Sequence, residues 1–229
     1  MNLQILETHS EQEFVRQSVA FLKDALTKTI TTRSLAILGL SGGSTPKPIY
    51  EALGREKIDW SNVWIFLVDD RYIRADDPNS NQFLLRSTLL KNAPIPESQI
   101  LFPDTTLPLD KCVHLYDQHI NSLLKKGQPD IITLGMGDDG HIASLFPPLT
   151  DAAFGPACVI HTTTEKFAVK DRISVTLPVL EKTKQAVFFL KGPAKKNVWQ
   201  KMMESKEDKR RWPGKRLMEK TLIAILAQW

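Results

Sequence analysis

An α/β protein with a mainly parallel sheet flanked by helices is predicted by the order of the apolar segments, by their lengths and by the turns in which they end. Runs of strand length alternate with longer stretches of helical periodicity, as in successive βαβ units. Three of the runs end abruptly in turns rich in glycine or carboxylate. The 229 residues, 42% of them hydrophobic, suffice for a full core. No internal repeat or Pro/Ser-rich linker divides the chain, so residues 1–229 are expected to form a single domain.

EQEFVRQSVAFLKDALTKTI (11–30) reads as an opening amphipathic helix, and SLAILGL (34–40) as the first buried strand. KPIYEAL (47–53) comes after Pro46 as a helix, with Ser44 or Thr45 as the expected N-cap. VWIFLVD (63–69) is the next strand, SNQFLLRSTLLK (80–91) a helix and QILF (99–102) a strand. In LDKCVHLYDQHINSLLKK (109–126), Val113, Tyr116, His119 or Ile120, and Leu123 or Leu124 recur at helical spacing and make one apolar face. DIITLGM (130–136), ACVIHT (157–162) and QAVFFLK (185–191) read as buried strands, IASLF from Ile142 as the start of a helix, and PAKKNVWQKMMES (193–205) as a helix. Glu204 to Lys220, including ESKEDKRRWPGKR, is so charged that a surface loop with a Pro-Gly turn is expected, the segment most open to mobility.

Charge is uneven. Lys191 to Lys220 holds eleven Lys/Arg against four Asp/Glu, in a chain whose net charge is only +4. Such a field suits an anionic metabolite or a solvated face. Aromatic residues are not interleaved with the basic ones and no zinc-finger spacing exists, so no nucleic acid is expected as partner. No apolar run approaches the length of a membrane span and the start of the chain lacks an export pattern, so no membrane association is expected. Cys112 and Cys158 match neither a disulfide framework nor a redox pair, which fits a cytoplasmic protein. His114 and His119 are five apart rather than four, and His9 and His161 have no chemical neighbours in the sequence, so neither metal nor cofactor is expected.

Ligands of open α/β sheets lie beyond the carboxyl ends of the strands. After the first strand, Ser41-Gly42-Gly43-Ser44-Thr45 could bring backbone N–H groups to a phosphate, or could simply be a tight turn; it lacks the lysine of a nucleotide P-loop. After the second, Asp69, Asp70 and Arg71 could serve acid–base work and grip an anion, or form a salt-bridged loop. After the fourth, LGMGDDGHIASLFP (134–147) places Asp139 two residues before His141; an imidazole beside a carboxylate suits a general base, and otherwise the histidine caps a helix. Arg172 and Lys195 lie beside further apolar segments and are either anion ligands or surface charges.

Six segments in order, SGGSTP (41–46), DDR (69–71), SN (80–81), GMGDDGHIASLFP (135–147), RISVTLP (172–178) and GPAK (192–195), resemble the 6-phosphogluconolactonase family, in the group that includes glucosamine-6-phosphate deaminase and ribose-5-phosphate isomerase. The resemblance implies a Rossmann-like fold, no metal, and hydrolysis of 6-phospho-D-glucono-1,5-lactone to 6-phosphogluconate in the pentose phosphate pathway. It implies His141 as general base with Asp139 orienting it, and a phosphosugar lactone held by Gly42, Gly43, Ser44, Asp69, Arg71, Arg172 and Lys195. Backbone N–H groups of the 135–141 turn would be the oxyanion donors, and a monomer or weak dimer is expected.

A deaminase or sugar-phosphate isomerase, and a non-catalytic sugar-phosphate sensor, are the alternatives. The deaminases carry a catalytic glutamate where this chain has Phe146, which argues against that reaction. Asp70 stands where the family has glutamate, leaving its role open, and the closing TLIAILAQW lacks the family's usual acidic residue.

Overall fold

The computed structural model describes residues 3–229. Its main sheet has seven strands, all parallel, in the order β1 (Leu3–Thr8), β10 (Leu222–Gln228), β9 (Gln185–Lys191), β6 (Ile131–Leu134), β2 (Ala36–Leu40), β3 (Val63–Leu67) and β5 (Ile100–Leu101). Helices α1 (Glu11–Arg33), α2 (Lys47–Leu53), α3 (Asn81–Ser87) and α4 (Leu89–Asn92) contribute to the core on one face. Helices α5 (Leu109–Lys126), α6 (Leu177–Glu181), α7 (Pro193–Glu204) and α8 (Pro213–Lys220) contribute to the core on the other. The expected α/β class is thus the observed one. Strand residues alternate between the two cores: Ile37, Phe66 and Phe188 point to one, Leu38, Ile65 and Val187 to the other. That burial on both faces explains why the strands read as unbroken apolar runs.

The set of elements predicted from sequence omits β1 and β10, which pair in register from Leu3 against Ile223 to Thr8 against Gln228. It also overstates two elements. ACVIHT is not a strand of the main sheet: β7 (Val159–Thr163) pairs with β8 (Asp171–Val175), which pairs with β4 (Asp69–Arg71), in a small antiparallel sheet. The alternating His161 and Thr163 already mark a half-buried strand with one polar face. Here His161 does have a chemical neighbour, its Nε2 lying 2.8 Å from Asp171 on the adjacent strand. IASLF forms no helix. Ile142 and Leu145 close a tight turn with Ala143 at φ +49°, because the hydrogen bonds of Ser144 go to Ser174, Asp69 and Thr162 instead of to a helix.

Glu204 to Lys220 is the largest correction. Its second half is α8, with Pro213, Leu217 and Met218 buried, and Trp212 before it is only 4% exposed. The apolar residues recur at helical spacing, but lysines and arginines on the opposite face dominate the composition and hide the pattern.

The order of strands places the site. From β2 the chain moves outward to β3 and β5, then returns to β6 on the other side of β2. The loops after β2 and β6 therefore diverge from adjacent carboxyl ends, leaving a crevice at the switch point. A buried hydrogen-bond cluster joins them: Tyr50 Oη donates to the Ser41 carbonyl at 2.9 Å and lies 2.7 Å from Thr133 Oγ1, which accepts from the Ser41 N–H at 3.1 Å. Burial pushes the Tyr50 phenol up to about 12, so it remains a neutral donor.

Candidate active site

A cavity of about 410 Å³ opens at this switch point, and Gly42, Gly43, Ser44, Asp69, Arg71, His141, Arg172 and Lys195 all line it. The structure thus brings together residues from five separate segments. Larger surface grooves lie elsewhere, one at the opposite end of the strands beside Lys184 and Thr221, but neither contains an imidazole paired with a carboxylate.

His141 Nδ1 lies 2.6 Å from Asp139 Oδ1, and the same oxygen accepts the His141 N–H at 3.1 Å. A carboxylate accepts only, so Nδ1 carries a proton, and the neutral imidazole then has its lone pair on Nε2. The other Asp139 oxygen accepts from Lys166 Nζ at 2.8 Å. Partial burial acts most strongly on Asp139 and raises its pKa. The hydrogen bonds from His141 and Lys166 together outweigh that and hold it well below the usual carboxylate range, so it stays ionised beside the imidazole.

Phe146 and Phe167 pack on the imidazole, with ring centroids 4.7 and 5.9 Å away. The position that would need a carboxylate in a deaminase is therefore an apolar wall against the ring. Three backbone N–H groups of the turn are engaged within it. Gly137 donates to the His141 carbonyl, Gly140 to the Gly137 carbonyl and His141 to Asp139. These three are consequently not available to an oxyanion.

The lining is also cationic. Arg172 is 6% exposed; its Nε donates to the Val169 carbonyl at 3.0 Å, and its guanidinium lies over Phe167. Burial first, and then the neighbouring positive charge of Arg71, lower its pKa from the ordinary guanidinium value. Arg71 itself donates to the Asn79 carbonyl. Two guanidinium groups held close enough to repel each other constitute a pocket suited to an anion. Lys195 faces the same space but pairs with the exposed Asp138 at 2.7 Å.

Asp69 lines the same cavity, and its Oδ2 accepts from Ser144 Oγ at 2.6 Å. Gly42 approaches so closely that a Cβ there would lie 1.7 Å from Asn81 Oδ1, which explains the glycine on steric grounds alone. Neither Ser44 nor Thr45 caps α2, whose N-cap is Pro46 with no side-chain bond.

Asp70 points away from the cavity. Fully buried, it accepts from the N–H groups of Arg71 and Asn81 at 2.8 and 2.7 Å, and from Ser80 Oγ and the Gln82 N–H. It thereby fixes the start of α3 against β4. Burial pushes its carboxyl up to about 6, despite those donors. The folded chain therefore holds this proton more tightly than the unfolded chain, whose carboxyl ionises near 4. Between those values stability falls as pH rises. We expect the stability of the wild type, relative to Asp70→Asn, to decline by roughly 2–3 kcal/mol from pH 4 to 7 in urea titrations. A difference independent of pH would contradict this.

Lys166 and Phe167 escape sequence reasoning, since only the pairing of β7 with β8 carries their hairpin loop over the 137–141 turn. Among the described residues, no group of three or more His, Cys, Asp or Glu could hold a metal ion, and no helix is long and apolar enough to cross a membrane. Cys112 and Cys158 are both buried and unpaired.

Fold and site together define an open parallel α/β protein with a histidine–carboxylate pair beside a cationic pocket in a strand-end crevice. The profile described as glucosamine-6-phosphate isomerases/6-phosphogluconolactonase matches residues 9–224, and the chain belongs to this family. It is 41% identical over 220 residues to a probable 6-phosphogluconolactonase of Dictyostelium discoideum, covering 92% of each chain. The crystal structure of 6-phosphogluconolactonase from Thermotoga maritima superposes with a TM-score of 0.88 at 26% identity, over 99% of this chain and 100% of that one. A monomeric glucosamine-6-phosphate deaminase shares the fold, with a TM-score of 0.84 at 21% identity over 98% of this chain and 97% of that one.

Proposed function

We propose that the chain hydrolyses 6-phospho-D-glucono-1,5-lactone to 6-phosphogluconate, with His141 as general base. The observation that carries this reading is the environment of the imidazole: Asp139 on Nδ1, Phe146 where a deaminase would present a carboxylate, and Nε2 left free.

In this mechanism the substrate phosphate sits with Arg71, Arg172 and Lys195, and the Gly42-Gly43-Ser44 loop closes around it. Asp69, fixed by Ser144, accepts from sugar hydroxyls. Water loses a proton to His141 Nε2 as its oxygen bonds to the lactone carbonyl carbon. The tetrahedral intermediate then breaks its bond to the ring oxygen, which takes the proton from Nε2 and becomes a hydroxyl. The carboxylic acid formed releases a proton at neutral pH, and the imidazole is neutral again. Asp139 remains ionised throughout and stabilises the transient imidazolium. Binding at the phosphate orients the reacting carbon from a distance.

Supplying both candidate substrates to the purified chain tests this reading. Acid release from the lactone above its spontaneous rate, with no ammonia from glucosamine 6-phosphate, is expected. Ammonia release would overturn the assignment.

The cationic ligands should differ in weight. Arg172→Ala removes a buried charge-assisted donor and should raise KM about tenfold or more. Lys195→Ala removes a more exposed group already paired with Asp138, and should raise KM by less. Steady-state kinetics of the two variants check the order.

A further inference from the structure

The His141 turn is rich in residues that leave the backbone free, although three of its N–H groups bond within it. Between Met136 and His141 the chain is Gly-Asp-Asp-Gly, and Gly140 sits at φ +84°, where side-chain-bearing residues are strained. Asp139 holds the imidazole, but only if the Asp139–Gly140 peptide is itself held. The N–H of that peptide is held within the turn, where Gly140 donates to the Gly137 carbonyl; its carbonyl is held from far along the chain, in the segment that composition marks as a surface loop.

Arg211 Nη1 donates to the Asp139 carbonyl at 2.7 Å, and its guanidinium stacks 3.9 Å above the ring of Trp212. That ring packs beneath the turn: a Cβ on Gly140 would lie 2.5 Å from the indole and 3.3 Å from the guanidinium. Arg210 fastens the same run to the far end of the loop. Its carbonyl accepts the Leu149 N–H and its guanidinium donates to the Leu149 carbonyl, each at 2.9 Å. Behind them, α8 is anchored tightly: a Cβ on Gly214 would meet Met202 Sδ of α7 at 2.8 Å.

From this juxtaposition we infer that Arg211 and Trp212 are positioning residues of the active site, which clamp the Asp139–Gly140 peptide and so aim the imidazole at the lactone carbonyl. The inference rests on His141 being the base. Neither residue lines the cavity. Arg211 contributes a charge-assisted hydrogen bond to a carbonyl, and the indole supplies a rigid floor that fixes the orientation of that carbonyl. Small displacements of a base cost rate and leave substrate binding intact.

The experiment compares Arg211→Met, Arg211→Lys and Trp212→Phe with the wild type on 6-phosphogluconolactone, alongside thermal melting of each. Arg211→Met should lower kcat about five- to twentyfold with KM within about twofold, and Arg211→Lys, which keeps a charged donor, should recover most of the loss. Trp212→Phe, which keeps an aromatic floor, guards against a variant that fails to fold and should show a smaller loss confined to kcat.

Unchanged kcat in Arg211→Met would overturn the inference. So would KM rising in step with the fall in kcat, or a loss that lysine does not restore in a variant that melts like the wild type. Absence of turnover in the wild type would instead overturn the assigned reaction, so the two failures remain distinct.

Discussion

His141→Ala should lose about 10²–10⁴-fold in kcat on 6-phosphogluconolactone, the usual contribution of a positioned general base, with KM changed little. The asymmetry stems from the geometry. The cations that would hold the phosphate are separate side chains on the cavity lining, so binding energy survives while water loses its proton acceptor. The lactone also opens spontaneously, so residual rates must be corrected for that background. His141→Gln retains a polar group but no base, and should be as impaired as alanine. Recovery of activity in the glutamine variant would mean that the imidazole serves only as a hydrogen-bond donor.

Asp139→Asn should cost about 10²-fold or more in kcat, because the amide removes the charge that supports the imidazolium and can present a donor to Nδ1, favouring the wrong tautomer. The geometry constrains the amide further. The Asp139 side chain accepts from the His141 ring and N–H on one oxygen and from Lys166 on the other, so one of the two sites meets an NH₂ group in either flip. Facing Lys166, the amide nitrogen opposes a cation; facing His141, it donates into the ring. Lys166→Met should be far milder, since that lysine is well exposed and only one of the donors to the carboxylate. A kcat for Asp139→Asn near that of the wild type would return Asp139 to a purely structural role.

The main sheet was legible because β2, β3, β6 and β9 are buried on both faces and so read as continuous apolar runs. The termini were less so. Leu3–Thr8 is half polar and carries no signal until Leu222–Gln228 is known to lie beside it. At the site, the glycine loop after β2, the His141 turn and the cations Arg71 and Arg172 could be named from strand-end logic and from the family motifs. Residues that could not be named depend on contacts between distant segments. Lys166 and Phe167 reach His141 only through the small antiparallel sheet, and Arg211 and Trp212 only because α8 docks on α7. Asp70 shows the reverse case: a carboxylate beside the site in sequence whose side chain turns inward to cap a helix.

In the proposed mechanism one cavity serves two ends of a substrate, a phosphate held by cations and a lactone carbonyl presented to His141. The most direct test is to measure, on the wild-type chain, kcat/KM for 6-phospho-D-glucono-1,5-lactone and for the same lactone without its phosphate. We predict strong acceleration of the phosphorylated lactone and at least a hundredfold preference for it, on the order of two charge-assisted hydrogen bonds. No acceleration of the phosphorylated lactone, or equal acceleration of both, would contradict the mechanism.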